Sequence, residues 1–397
     1  MKKIATKILI LILFGATGKV QAQYEFFCPP GAFAIEVSLS NTDLLRLPMY
    51  RNSISSLIVS GDFIIGGTSA QEDMAPFLFT ASINKRELVK ILDINDVITG
   101  QTSIRTGFCR GKNNILYAGT LTNEPEGGHL LLIEIDNQGV INSKDLGIPV
   151  KGEGVFSLSG NKEGTMLFGI SFPGGLFFSY DIQSGVTKTY SDVAPTKKEL
   201  NQISQFSIMP DSYLSKSLIL DDQGLVYGSM PINSLFCFNP KDGTFQIIKN
   251  CLPEVWGRNV LGQVESWTKS GDGKLYGGNA GDGQLFELDP LTKKVKNLGK
   301  PAMMPRIRGL TFGRDGKLYG ITGALPGYAH LFSYNTEDGF HDYGNPEFPM
   351  AISGIEGGIN WRGFQMGSIA SSEDGKYIVI GEDEALSQLL IFIIEEK

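Results

Sequence analysis

Through most of the chain, short runs in which apolar and polar residues alternate are separated by clusters of Gly, Asp, Asn and Ser. That is the period of half-buried strands joined by tight turns. One unit shows the pattern plainly: Glu265-Ser266-Trp267, the turn Gly271-Asp272-Gly273, the apolar run Leu275-Tyr276-Gly277, then Leu285-Phe286-Glu287-Leu288-Asp289. It recurs as Arg308-Gly309-Leu310, Arg314-Asp315-Gly316, Leu318-Tyr319-Gly320 and Leu331-Phe332-Ser333-Tyr334-Asn335. A small residue followed by a large apolar one opens each copy, at Ser56-Leu57, Gly107-Phe108, Ser157-Leu158, Ser217-Leu218, Ser266-Trp267, Gly309-Leu310 and Ser368-Ile369. The second strand of each copy ends at Gly66, Ala118, Gly169, Gly228, Gly277, Gly320 or Gly381. These markers recur near the roughly 40 to 50 residues of a four-stranded blade, stretched by loops. The pattern predicts an all-β fold, a seven-bladed β-propeller of four-stranded antiparallel blades. Crowding around the axis explains the small residue, while its neighbour points to the other sheet face and packs between blades.

The last copy stops at Lys397, after a third strand at residues 389–393, so its outer strand must come from elsewhere. Residues 33–39 alternate apolar and other residues ahead of the first inner strand and are expected to close the ring there, covering an exposed edge. Tight turns such as Asp272-Gly273 and Asp315-Gly316 place both short connections of a blade on one face. The other face receives long irregular loops at residues 192–214, 252–262 and 344–363, where binding usually resides.

Composition fits this picture, with 397 residues, 42% of them apolar, 19% charged and 49 glycines assigned to turns and strand ends. Residues 1–22 carry Lys2 and Lys3, an apolar run from Ile8 to Phe14, and Val20-Gln21-Ala22, which read together as a cleaved signal peptide. One propeller domain over residues 23–397, exported to the periplasm, the cell surface or the medium, is therefore expected. No run approaches the roughly 18 apolar residues of a membrane-spanning helix. A net charge of -7 argues against a nucleic-acid partner. The four cysteines form no C-x-x-C pair, and buried free thiols are expected of them. Three histidines without metal-ligand spacing, and the absence of a nucleophile elbow or phosphate loop, lead us to expect no metal and no cofactor.

Candidate chemistry follows from position. The residue before each small one enters from the loop-rich face near the mouth of the central channel, giving Ser55, Thr106, Phe156, Lys216, Glu265, Arg308 and Gly367. Lys216, Glu265 and Arg308 form a cation, anion, cation arc, with Arg105, Arg306 and Gln365 close in sequence. Such an arc either closes the channel as salt bridges or holds a polar ligand. Surrounding loops add Asn279, Asp282, Tyr328, His330 and the run Glu382-Asp383-Glu384. The long loops add Trp256, Arg258, Trp361 and Arg362. Aromatic faces beside Arg and carboxamide groups suit a sugar.

The repeated Asp-Gly-Lys-Leu-Tyr-Gly segments resemble those of exported bacterial seven-bladed propellers. That broad group takes in NHL-like and YVTN-like repeat proteins, lyases of the virginiamycin B type and some polysaccharide lyases. The resemblance spans residues 33–397 and is architectural, so it implies the ring and not a chemistry. Three functions are compatible with it. The leading expectation is a module binding a glycan or another small polar ligand on the loop-rich face. The alternative is a polysaccharide lyase acting by β-elimination, with Arg308 or Lys216 neutralising a uronate carboxylate and Tyr328 or His330 as base or acid. The third is a platform for a protein partner.

Overall fold

The computed structural model describes residues 26–27, 31–37, 53–70, 75–193, 209–253, 262–325, 327–347, 363–383 and 388–396. They form seven antiparallel blades in a ring. The inner strands are Ser53–Ser60, Cys109–Arg110, Gly154–Gly160, Ile219–Leu220, Val264–Lys269, Ile307–Phe312 and Met366–Ser371, numbered here as blades 1 to 7. Each blade then meanders outward. In blade 5, Trp267 faces Gly277, Gly277 faces Phe286, and Leu288 faces Val295 on the outer strand.

The outer strand of blade 7 is Phe33–Glu36, antiparallel to Gln388–Ile393, with Phe33 opposite Ile391 and Glu36 opposite Gln388. Ring closure by the N-terminal segment is thus as expected. Ile35 and Val37 are buried in one apolar cluster with Ile54, Ile64 and Phe79 of blade 1 and Val379, Leu389 and Ile391 of blade 7. Blade 6 has a fifth strand that the pattern did not reveal, because Phe26–Phe27, too short to show a period, runs parallel to Asn345 and Pro346. Two further short strands, Gln101–Ser103 and Leu121–Thr122, extend blade 1 through the pair Ser69–Ser103.

The recurring glycine has a specific partner. Gly228 and Gly320 sit under the rings of Phe236 and Phe332, where an added Cβ would come within 2.5 Å of the ring. The aromatic of the third strand thus needs a bare backbone opposite it, which is why Gly and Phe recur together. Blade 7 corrects one marker. Ile369 faces Ile380, and Gly381 faces Ser368, so Gly381 lies one position beyond the others. Its bareness serves the neighbouring blade, since a Cβ there would lie 2.5 Å from Ile54 of blade 1. Gly278 has the same relation to Ile307.

Small residues on the inner strands hold blade to blade. The Oγ atoms of Ser56, Ser266 and Ser368 donate to the carbonyls of Ile104, Ile307 and Ile54 in the next blade, at 2.9, 2.9 and 3.0 Å. The bond from Ser368 to Ile54 carries this series from blade 7 across to blade 1. Cys109, Cys237 and Cys251 are free thiols, and burial pushes the Cys109 thiol up to about 12. Cys28 and the leader-like residues 1–22 lie outside the described residues.

Two outcomes test this architecture. Ile35→Asp places a lone carboxylate in the closing cluster and is expected to cost at least about 3 kcal/mol in chemical denaturation, with soluble aggregates on size exclusion as the blade 7 edge opens. An unchanged midpoint would contradict closure by this strand. Gly320→Val is expected to lose about 2 kcal/mol by overpacking, and adding Phe332→Ala should recover part of that loss. Strict additivity would show that the ring is not what the glycine accommodates.

Candidate functional site at the channel mouth

The residues that reach the axis do so through an irregularity in the strands. Register shifts occur between Ile54 and Ser56, Val155 and Ser157, Val264 and Ser266, Ile307 and Gly309, and Met366 and Ser368. In each case the intervening residue is extra, as in a β-bulge, which bends the strand and re-aims one side chain. Those extra residues are Ser55, Phe156, Glu265, Arg308 and Gly367. With Arg105, Lys216, Ser69 and Asp383 they line a cavity of about 250 Å³.

In blade 2 the reading from sequence was one residue out. Thr106 is fully buried, and its Oγ1 accepts the Gly119 N–H at 2.8 Å. Thr106 therefore takes the small position assigned to Gly107, and Arg105 takes the mouth position assigned to Thr106. Blade 2 has only two residues of regular inner strand, so the register could not be counted from alternation.

The expected arc is real, and it is asymmetric. Glu265, with a side chain 7% exposed, is clamped by Arg306, whose Nε donates to Oε2 at 2.9 Å and whose Nη2 donates to Oε1. Arg306 lies in the left-handed region at φ 62, a conformation that costs a non-Gly residue free energy. Lys216 Nζ is a second, longer partner of Glu265 at 3.4 Å. Burial alone would raise the Glu265 carboxyl. The Arg306 hydrogen bonds and the charges of Lys216, Arg306 and Arg308 outweigh it and hold the group below its ordinary value. For Lys216 burial wins over the attraction of Glu265, aided by Arg306 and Arg105, and the ammonium sits below the ordinary lysine range. The two halves of the contact therefore differ: Glu265 is satisfied by Arg306, and Lys216 is weakly held.

Arg308 does a structural task. Its blade carries Gly309 where blades 1, 5 and 7 carry Ser56, Ser266 and Ser368, so no hydroxyl reaches across, and Arg308 Nη1 donates to the Met366 carbonyl at 3.1 Å instead. Its Nη2 pairs with Asp383, while its buried Nε lacks a partner. Asp383 reaches the cavity because Gly367 is bare, since a Cβ there would stand 2.7 Å from the Asp383 Cβ. Asp383 also accepts from Ser53 Oγ and from Gln365 Nε2, the latter at 3.4 Å. Arg105 is exposed and makes no hydrogen bond or ion pair with the described residues.

Other candidates lie elsewhere on the same face. His330 opens the third strand of blade 6, buried, with Nδ1 3.0 Å from both oxygens of Asp342 and a partnerless Nε2. Tyr328 precedes it. Two strand spacings, roughly 10 Å, separate that strand from the inner one. Asn279 is fully buried and holds its own loop, accepting from Gly281 N–H and donating to the Pro253 carbonyl. Trp256, Arg258, Trp361 and Arg362 lie outside the described residues. Of the run Glu382-Asp383-Glu384 named from sequence around the arc, Asp383 lines the cavity, beside the bare Gly367 on the adjacent strand.

The Glu265 clamp has a pH consequence. Its folded-state pKa is depressed, so its stabilisation is complete above the unfolded value and is lost as pH falls through the folded one. Glu265→Gln is expected to cost about 3 kcal/mol at neutral pH by stranding buried cations, and much less in acid. Denaturant titrations at both pH values check this, and equal stability of the two proteins at neutral pH would contradict it.

No family model and no curated protein sequence matches the chain. Among solved structures, a streptogramin B lyase superposes with a TM-score of 0.62 at 10% identity, covering 91% of this chain and 98% of that one. Virginiamycin B lyase from Staphylococcus aureus gives 0.57 at 12% identity, covering 92% and 100%. The β-propeller domain of Myceliophteria thermophila Cps50 (Swd1) gives 0.59 at 10%, covering 87% and 98%. The chain is similar in fold to propellers of the virginiamycin B lyase type, and at these identities the likeness is one of architecture.

Proposed function

We propose that this is an exported propeller that binds an acidic ligand, foremost an acidic sugar, with its carboxylate at the channel mouth. The observation that carries the reading is the uncompensated charge there. The lining brings Arg105, Lys216 and Arg308 together with two carboxylates, Glu265 and Asp383, and those two are engaged by Arg306 and Arg308. Arg105 has no partner among the described residues and Lys216 a weak one, and both line the cavity on either side of Phe156. A carboxylate between them would gain charge-assisted hydrogen bonds in a partly desolvated site, and the Phe156 ring offers an apolar wall for a sugar C–H face. The leader-like start of the chain supports export.

Size narrows the ligand. A cavity of about 250 Å³ is smaller than the roughly 300–1,000 Å³ of drug-sized sites, so it admits one ring or one small acid. An oligosaccharide would place a single acidic unit there and lie across the loop-rich face with the rest. Two of the structural neighbours are lyases, which keeps β-elimination as the alternative. Against it, His330 opens a strand about 10 Å outward of the inner one, and Tyr328 lies in the turn that leads into it.

Titration calorimetry of the full chain with galacturonate tests the binding reading. Arg105→Ala should weaken binding about tenfold, close to 1.4 kcal/mol, without changing the melting temperature. Equal affinity of the two proteins, or equal binding of neutral galactose, would refute it. In a parallel incubation with polygalacturonate, growth of unsaturated-uronide absorbance would establish the lyase instead.

A further inference from the structure

Lys216 combines features that a simple anion contact does not need. Its main-chain N–H is fixed on the Val264 carbonyl of blade 5 at 3.3 Å, so the residue is placed by the ring itself. Its side chain is 20% exposed, and that exposure opens into the cavity. The carboxylate beside it is already held by both arms of Arg306, leaving Nζ at 3.4 Å with little to hold it. The charged groups facing it are Glu265, Arg306 and Arg105, so two cations crowd the ammonium against one committed anion. A lysine that is desolvated and set among other cations is the environment in which an amine becomes a nucleophile toward carbonyls.

We propose that Lys216 is a nucleophilic amine that condenses reversibly with the carbonyl group of a small oxo acid whose carboxylate is held by Arg105. The proposal rests on the reading that the mouth binds a carboxylate. Neutral Nζ attacks the carbonyl carbon, forming a C–N bond and a carbinolamine. The former carbonyl oxygen then leaves as water, carrying both amine hydrogens, and a C=N bond remains. No oxidant or reductant is consumed. Once protonated, the iminium replaces the ammonium opposite Glu265, so the charge balance of the pair is kept. Arg105 and Lys216 flank Phe156 on the lining, which suits a ligand bearing its two functional groups at opposite ends of a short apolar body. Short oxo acids have that form, and open-chain uronic acids carry the same two end groups on a hydroxylated body.

The test uses the intact protein, glyoxylate as the smallest acid bearing an aldehyde, and cyanoborohydride to reduce any imine to a stable amine. Peptide mass spectrometry compares labelling of Lys216 with that of Lys85, whose side chain is 70% exposed. With glyoxylate, Lys216 is expected to react at least about tenfold faster than Lys85, a small part of what a positioned reaction partner can supply. With propanal, which lacks the carboxylate, that ratio should drop severalfold, as it should for glyoxylate in Arg105→Ala or under excess acetate. Lys216→Arg should remove the label from this peptide. If Lys216 reacts no faster than Lys85 while galacturonate binds, the imine is refuted and the anion site stands. If glyoxylate and propanal give the same high ratio and galacturonate does not bind, the carboxylate anchor fails, and with it both this proposal and the ligand class on which it rests.

Discussion

The ring depends on how closely one inner strand can approach the next. A serine hydroxyl of one blade donates to the first apolar residue's carbonyl in the following blade, and a bare glycine lets the side chain of that residue seat against the sheet behind it. Each contact is worth only about 1 kcal/mol net. Three such contacts, one of them joining blade 7 to blade 1, act together as a shape constraint, because loosening one blade strains its neighbours. The N-terminal strand has the same logic at larger scale, since it lets blade 7 end in a paired edge and binds it to blade 1 through a shared apolar cluster.

The candidate site is a by-product of that packing. Tight apposition forces an extra residue into the start of five inner strands, and the bulge aims that residue at the axis. Where the chain places Ser or Gly there, the mouth stays open; where it places Glu or Arg, charge collects. Structure and chemistry overlap most at Arg308, which supplies the interblade donor that Gly309 lacks and lines the cavity as well. Removing it would confound folding with binding. Arg105 carries no such duty among the described residues, and it separates the two roles.

Much of this was legible in the sequence, for physical reasons that also mark the limits. Period-2 alternation, turn glycines and the pairing of Gly with a downstream Phe are local properties, so blade number, strand order and the closing strand could be read directly. The Lys216, Glu265 and Arg308 arc followed from register. Register failed in two blades. In blade 2 the two-residue inner strand hid a one-residue offset that exchanged Thr106 for Arg105, and in blade 7 Gly381 stood in for Ile380. The pairing of Asp383 with Arg308 and the clamp of Glu265 by Arg306 escaped because they depend on a missing side chain at Gly367 and a left-handed backbone at Arg306, which leave no periodic trace. The assignment of Tyr328 and His330 to the chemistry came from face alone. Face gives the end of the ring but not the distance from its axis.

The central claim is that the ring gathers an unpaired positive charge at the channel mouth and uses it to hold a carboxylate. A crystal structure of the full chain grown with galacturonate tests it most directly. The account predicts density for the sugar in the cavity, its carboxylate within hydrogen-bond distance of Arg105 and one edge against Phe156. A cavity filled only by water, with the sugar bound elsewhere or not at all, would contradict it.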